Sequence, residues 1–526
     1  MKRMKTIFLV TIALLIGLRS KTQPGKGDHK SNDSSVITIN LKGMKYTGSV
    51  DERYQSYNVE MAEVVGGDFW RPYKTMDSLP SLTSLDMAKR STSLFRKLPP
   101  INLADKRLVN LAKALAPAYV RVSGSWANTV YFQDNDSLET KAPQGFVNTL
   151  TRGQWKGVID FIKATDSKLV TSFAVSKGVR DTNEVWTTAE AQKIVNYTKS
   201  IGGEIAGAEL FNEPTIPFVA GVAYNGGNFA KDEAVFRQWA KREVPGMLLI
   251  GPGSTAEGLP AVPLAGLLKN FISTDTLMSA TPRPVFDVFS YHYYGAVSMR
   301  LLRDNSPLSI KPENALNAAW LQRTNDVADY YIRLRDKYNP GKPIWITETA
   351  EASAGGDPFA ATYLDCFRYL YQLGSLAEKG IQVVMHNTLA ASEYSLIDQD
   401  THLPKPNYWA ALLWAKLMGT KVYTTAEGTR GVYVFAHDMK RHKGGITILV
   451  LNTNKNSAAI NIPSAGIQYT LTSDKLQSET VFLNGQELKL GDDDSLPIIK
   501  GREIIAGTTV LPPVSITFIT FENAGK

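Results

Sequence analysis

The chain has 526 residues, of which 43% are hydrophobic, 21% charged and 10% aromatic; that is too long for one ordinary domain and too apolar for a disordered chain. Its single cysteine, Cys366, excludes an intrachain disulfide and any metal site built on cysteines. The net charge of +8 suits acidic partners, and is equally what a basic surface without a specific partner would show.

In chain order, residues 1–22 read as a signal peptide. Met1-Lys2-Arg3-Met4-Lys5 is a basic start and Thr6 to Leu18 an apolar stretch too short for a permanent span, with cleavage placed within 19–24. Residues 23–55 read as a polar leader followed by strands such as Val36-Ile37-Thr38-Ile39, which could join a later β-module. No later segment is apolar enough to cross a membrane. Export without disulfides points to a secreted or periplasmic, bacterial protein.

From residue 56 to 420, strand-like and helix-like runs alternate. Tyr119 to Val122, Leu169 to Val175, Glu204 to Leu210, Met247 to Gly251, Val285 to Tyr291, Pro343 to Thr347 and Val383 to His386 are short and apolar on both faces, as buried parallel strands are. Gly153 to Ala164 and Ala189 to Ile201 read as helices, and Cys366 falls in a helical run as a small buried hydrophobe. Repeated β–α units of this length, with no glycine-rich phosphate loop after the first strand, predict an α/β protein, a (β/α)8 TIM barrel. From 421 to 526 the rhythm changes to alternating β-branched runs, with Asn484-Gly485 as a hairpin turn, and predicts a C-terminal β-sandwich.

Two of the barrel strands end in carboxylates: Glu209-Leu210-Phe211-Asn212-Glu213-Pro214 and Ile344-Trp345-Ile346-Thr347-Glu348-Thr349. A glutamate at the C-terminal mouth of a barrel strand faces the active-site end, and two facing glutamates are what glycoside hydrolysis uses. Glu213 is read as general acid and then base, Glu348 as nucleophile, with a carboxyl separation of about 5–5.5 Å for a retaining enzyme. Asn212 is placed to meet a sugar hydroxyl beside the reacting carbon. Glu209 is the structural alternative on the first strand, and Glu351 is expected on an outer loop. Tyr291-His292-Tyr293-Tyr294 is expected to wall the nucleophile, with His292 holding Glu348 or a sugar hydroxyl. The six histidines (His29, His292, His386, His402, His437, His442) show no paired ligand spacing, so no metal and no cofactor are expected.

On these motifs the chain resembles the heparanase-like enzymes of glycoside hydrolase family 79. The likeness runs from about residue 45 to the C-terminus. It rests on Leu115 to Gly124, Glu209 to Pro214, His292-Tyr293-Tyr294, Glu348-Thr349 with Gly355-Gly356, Glu393 to Asp398, Pro406 to Trp409 and Leu417 to Val422. It implies Glu213 and Glu348 as the catalytic pair and a uronic acid carboxylate read by Gly355, Gly356 and Tyr394. It further implies Tyr294 and Glu60 as sugar contacts. The chain departs from the family at Ser123-Gly124-Ser125-Trp126-Ala127-Asn128, where Trp126 is read as a stacking surface, and it carries no dense basic cluster for long sulfated chains. The implied function is a secreted retaining β-glycosidase acting on oligo- or polysaccharides that contain glucuronic acid. It would work as a monomer without nucleic-acid partners. The alternatives are an exo-acting β-glucuronidase on non-sulfated or plant glycans, and a non-catalytic glycan-binding protein on the same scaffold.

Overall fold

The computed structural model describes residues 36–76, 94–138, 141–217, 220–259, 270–302, 306–425 and 428–523. The expected signal segment lies outside them. Among the described residues no helix is long and apolar enough to cross a membrane.

Eight parallel strands close into a barrel: β1 (Gln55–Glu60), β2 (Ala118–Ser123), β3 (Ser167–Ser172), β4 (Gly207–Glu209), β5 (Leu248–Ser254), β6 (Val288–Val297), β7 (Ile344–Ser353) and β8 (Val383–His386). Each pairs with its sequence neighbour, and β8 closes on β1. The (β/α)8 barrel expected from the alternation is therefore present. Helices α1 (Lys106–Ala114), α2 (Arg152–Ala164), α3 (Ala189–Ser200), α4 (Gly226–Glu243), α5 (Ala318–Tyr338), α6 (Tyr363–Glu378) and α7 (Pro406–Leu417) cover it. In α2 the three-four spacing of Trp155, Val158, Ile159 and Ile162 gives one buried stripe, and Thr151 with Gln154 forms a capping box at its start.

Inside the barrel the side chains lie in layers. Tyr119, Val170, Ile250, Val288, Trp345 and Met385 come from six different strands and touch one another, an apolar plug at the floor. Two residues further along their strands, Arg121, Ser290 and Thr347 form a polar layer around Glu209. The mouth lies above it.

Strand β7 is longer than the sequence pattern suggested, running ten residues to Ser353. This corrects the expectation for Glu351. It belongs to the strand, is fully buried, and accepts a hydrogen bond from the Asp357 backbone.

The C-terminal module is a β-sandwich, antiparallel but for the parallel pairing of Ile37–Thr38 with Ala458–Ile462. One sheet runs Tyr46–Ser49, Met418–Tyr423, Val432–Met439, Ile446–Asn452, Ser515–Phe521, Gly466–Thr472, Phe482–Leu483, Gln486–Glu487, with Arg502–Ile504 beside Gly466–Thr472. The other is Ile37–Thr38, Ala458–Ile462, Gly507–Leu511. Strand alternation divides the apolar residues. Val434, Ile448 and Ile519 meet Ile37, Ile460 and Leu511 between the sheets, while Phe435, Leu449 and Phe518 belong to the main core shared with the barrel helices. That second packing explains why α6 is buried on every side.

Candidate active site

The mouth holds a cavity of about 210 Å³ whose deep end is lined by Glu60, Glu213, His292, Tyr294, Glu348 and Tyr394. A β-bulge in β7 aims the nucleophile candidate. Ile346 pairs with Tyr291, the next paired residue is Glu348 with His292, and Thr347 is left over. Under strict alternation Thr347 and Thr349 would face inward and Glu348 outward. With the extra residue, Thr347 reaches Glu209 (2.7 Å), Glu348 turns into the cavity, and Thr349 turns out to Gln372 of α6 (3.1 Å). In β6 regular alternation sends His292 and Tyr294 inward, and Tyr291 outward to stack on Tyr331 at 4.4 Å.

Glu213 follows β4 in a left-handed backbone conformation, φ +60°, rare for a glutamate. Its predecessor is clamped: the Asn212 N–H donates to Asn128 Oδ1 (3.0 Å) and Asn128 Nδ2 donates back to the Asn212 carbonyl (2.9 Å). Such strain persists where the surroundings over-determine it. One ligand-type atom from each of Glu213, His292 and Glu348 lies within 4.8 Å of the other two, so the two carboxylates approach to that distance. The side chain of Glu213 is 21% exposed and that of Glu348 9%. The trio offers donor types that a cation accepts, but Arg121 already supplies a positive charge 3.0 Å from Glu348.

Arg121 ties these groups together. It donates to Glu209 (2.8 and 3.0 Å), to Glu348 Oε2 (3.0 Å) and to Asn212 Oδ1 (2.7 Å), and its Nη2 lies 3.3 Å from His292 Nε2. A guanidinium cannot accept, so Nε2 is the acceptor and Nδ1 carries the ring proton toward Glu213 Oε1, 3.1 Å away. Burial pushes Glu209 upward, but the Arg121 charge, with the Thr347 hydroxyl, outweighs it and holds the carboxyl below its ordinary value. Glu209 is thus the fixed counter-charge of Arg121. The other oxygen of Glu348, Oε1, accepts from the Tyr294 hydroxyl at 2.6 Å.

Glu60 goes the other way. Burial first, and then the charge of Glu348, push its pKa well up, against Arg121 and a hydrogen bond from Asn387. Its carboxylate lies flat against Gly124, whose φ of +93° and missing Cβ both matter, since a Cβ there would overlap a Glu60 oxygen. Asn387 also donates to Tyr294 (3.0 Å) and Tyr394 (3.2 Å).

Among the residues read from sequence, Glu60, Trp126, Glu213, His292, Tyr294, Glu348 and Tyr394 line the cavity. Asn212 sits just behind, its side-chain carbonyl taken by Arg121. Gly355 and Gly356 also lie behind the wall, which Ser353 and Ala354 form; left-handed turns at Ala354, Gly355 and Gly356 take the chain away, Gly355 toward Trp70 and Ser392. Arg300 draws the carbonyls of Ala354 and Gly356 to itself. Sequence reasoning gave no role to Arg121, although a charge between two strand valines has to be paired inside. It also passed over Asn387, which directly follows β8 and obeyed the same strand-end rule as Glu348. The wall residues Phe69 and Trp70 come from a strand pair, Gly67–Trp70 with Phe95–Leu98, that lacks any marked periodicity.

A family model for "Glycosyl hydrolase family 79, N-terminal domain" matches residues 92–374, more than half of the chain. The heparanase of Bos taurus is 29% identical over 415 residues, 75% of this chain and 72% of that protein. A human relative named inactive heparanase-2 is also 29% identical, over 67% of this chain and 61% of its own. Among solved structures, a 4-O-α-L-rhamnosyl-β-D-glucuronidase from Fusarium oxysporum superposes over 92% of this chain and all of that one, with a TM-score of 0.58 and 14% identity, a likeness of fold. With the family match spanning most of the barrel, the chain belongs to glycosyl hydrolase family 79.

Proposed function

We propose that the protein is a retaining β-glycosidase that releases β-linked glucuronic acid. The observation that carries this reading is the approach of the Glu213 and Glu348 carboxylates to within 4.8 Å on one rim. That falls on the retaining side of the two glycosidase geometries, about 5–5.5 Å for retention against about 6.5–9.5 Å for inversion. Glu348, held by Arg121 and Tyr294, attacks the anomeric carbon while Glu213 gives its proton to the departing oxygen. A water activated by Glu213 then releases the sugar with its configuration retained. His292 Nδ1–H orients Glu213 between the two steps.

The choice of glucuronic acid rests on the family and on the heparanase relative. It is supported by a neutral donor at the deep end, the Tyr394 hydroxyl, which accepts from Asn387 and keeps its own proton for a carboxylate without placing another cation beside Glu348. The protein named inactive shows that likeness of sequence does not carry activity by itself, so the carboxylate pair bears the argument. The test is hydrolysis of an aryl β-glucuronide beside the matching β-glucoside, with the first-formed anomer followed by proton NMR. Preference for the glucuronide and release of the β-anomer are expected. An α-anomer formed first would overturn the mechanism, and equal rates on both glycosides the specificity.

A further inference from the structure

We infer that the leaving group is a small lipophilic alcohol or phenol, and not the next sugar of an anionic polymer. This rests on the glucuronidase reading above and concerns the outer half of the same cavity. The position of that half follows from the mechanism. Glu213 protonates the departing oxygen, so the leaving group emerges beside β4 and the strands that follow it. Along this arc the wall is formed by Ile216 after β4, Leu259 after β5, and Ala296, Val297 and Leu308 on and after β6. Leu259, Val297 and Leu308 pack together as one apolar surface. Trp126 closes the opposite side, its ring 6.0 Å from that of Phe69.

A sugar in that place would set several hydroxyls against carbon, losing more water hydrogen bonds than Thr255 and Glu257, the polar residues of this arc, could replace. A sulfated or uronate-bearing sugar would fare worse. The described lining residues include no lysine or arginine, while Glu60, Glu213, Glu257 and Glu348 are among them. Glu257, on the leaving-group arc, is held by the Tyr330 hydroxyl (2.9 Å) and by the Thr274 backbone. Arg121 and Arg300 are buried with their donors engaged by Glu209, Glu348 and backbone carbonyls. A hydrocarbon or aromatic group loses nothing on entering and gains by leaving water. The reaction is unchanged: the bond from C1 to the leaving oxygen breaks, Glu348 bonds C1, and the proton of Glu213 goes to the leaving oxygen. Water then replaces Glu348 at C1 and returns a proton to Glu213.

The experiment compares methyl and octyl β-D-glucuronides, whose alcohols are alike in acidity, and a sulfated glucuronide tetrasaccharide, all with the full chain. Octyl glucuronide is expected to exceed methyl by about tenfold or more in kcat/KM, chiefly through KM, with the tetrasaccharide slowest. Ile216→Asn and Leu259→Gln, both at partly exposed positions that tolerate a polar side chain, should pull the octyl-to-methyl ratio to within about twofold of one. Methyl and octyl glucuronides cleaved alike, the tetrasaccharide preferred, or a ratio indifferent to both substitutions would overturn the inference while leaving the glucuronidase reading intact. Failure on all three substrates and on an aryl glucuronide would instead remove that reading, and the inference with it.

Discussion

A guanidinium in the middle of a barrel strand has to find its counter-charges within reach, and Arg121 finds two. Removing one member of such a buried set costs about 3–5 kcal/mol, because the remaining charge is left in a medium that cannot solvate it. Arg121→Met is therefore expected to lower stability by that order, read by denaturant unfolding, and to release Glu348 as well. The two catalytic candidates should separate kinetically. Glu348→Gln is expected to abolish turnover on any glucuronide. Glu213→Gln should cost about 10²–10⁴-fold with alkyl leaving groups and far less with acidic phenols, which depart without a proton. Equal losses on both substrates, in a folded variant, would refute the acid role. Gly124→Ala would drive Glu60 out of its place, and about a hundredfold loss in kcat/KM with an unaltered circular dichroism spectrum is expected. The carboxylates were legible in the sequence because each ends an apolar run. Asn128, which pins the peptide before Glu213, was not, since a clamp across two loops leaves no periodic trace.

At the level of elements, the bulge at Thr347 decides which side chain of β7 enters the cavity. A sequence pattern shows where a strand's apolar run stops, but not how far the strand continues past it, and for that reason Glu351 was expected on a loop. The short helix Met61–Val65 does a related task for β1. Its Glu63 accepts from the Glu60 backbone N–H at 2.7 Å and so fixes the chain where Glu60 enters the cavity. Burial raises Glu63 to about 8 from an ordinary 4.5, against the pull of that hydrogen bond. A carboxyl raised in the folded state contributes fully below its unfolded pKa and loses that contribution as pH rises through the folded one. Wild-type stability should therefore fall relative to Glu63→Gln between about pH 4.5 and 8, a gap that thermal unfolding at several pH values would show widening with pH. A gap independent of pH would mean that Glu63 stays ionised throughout.

Over the whole molecule, barrel and sandwich share one core through α6 and α7. Gly374 of α6 faces the ring of Phe435 so closely that a Cβ would overlap it, which makes this contact a sensitive probe of the junction. Gly374→Leu is expected to cost about 1–3 kcal/mol and to shift the unfolding of both parts together; separate transitions would show that each holds without the other. The change of rhythm near residue 421 was plain in the sequence, whereas the packing of α6 was not, because a helix apolar on all sides says that it is covered without saying by what. The pairing of Ile37–Thr38 with Ala458–Ile462, and of Tyr46–Ser49 with Met418–Tyr423, sets a constraint of timing. Each of these strands waits on the ribosome for a partner made roughly four hundred residues later, so the sandwich cannot close while the barrel is being made. A nascent chain of this kind stays open, and readable by chaperones, until the strands that follow the barrel have emerged.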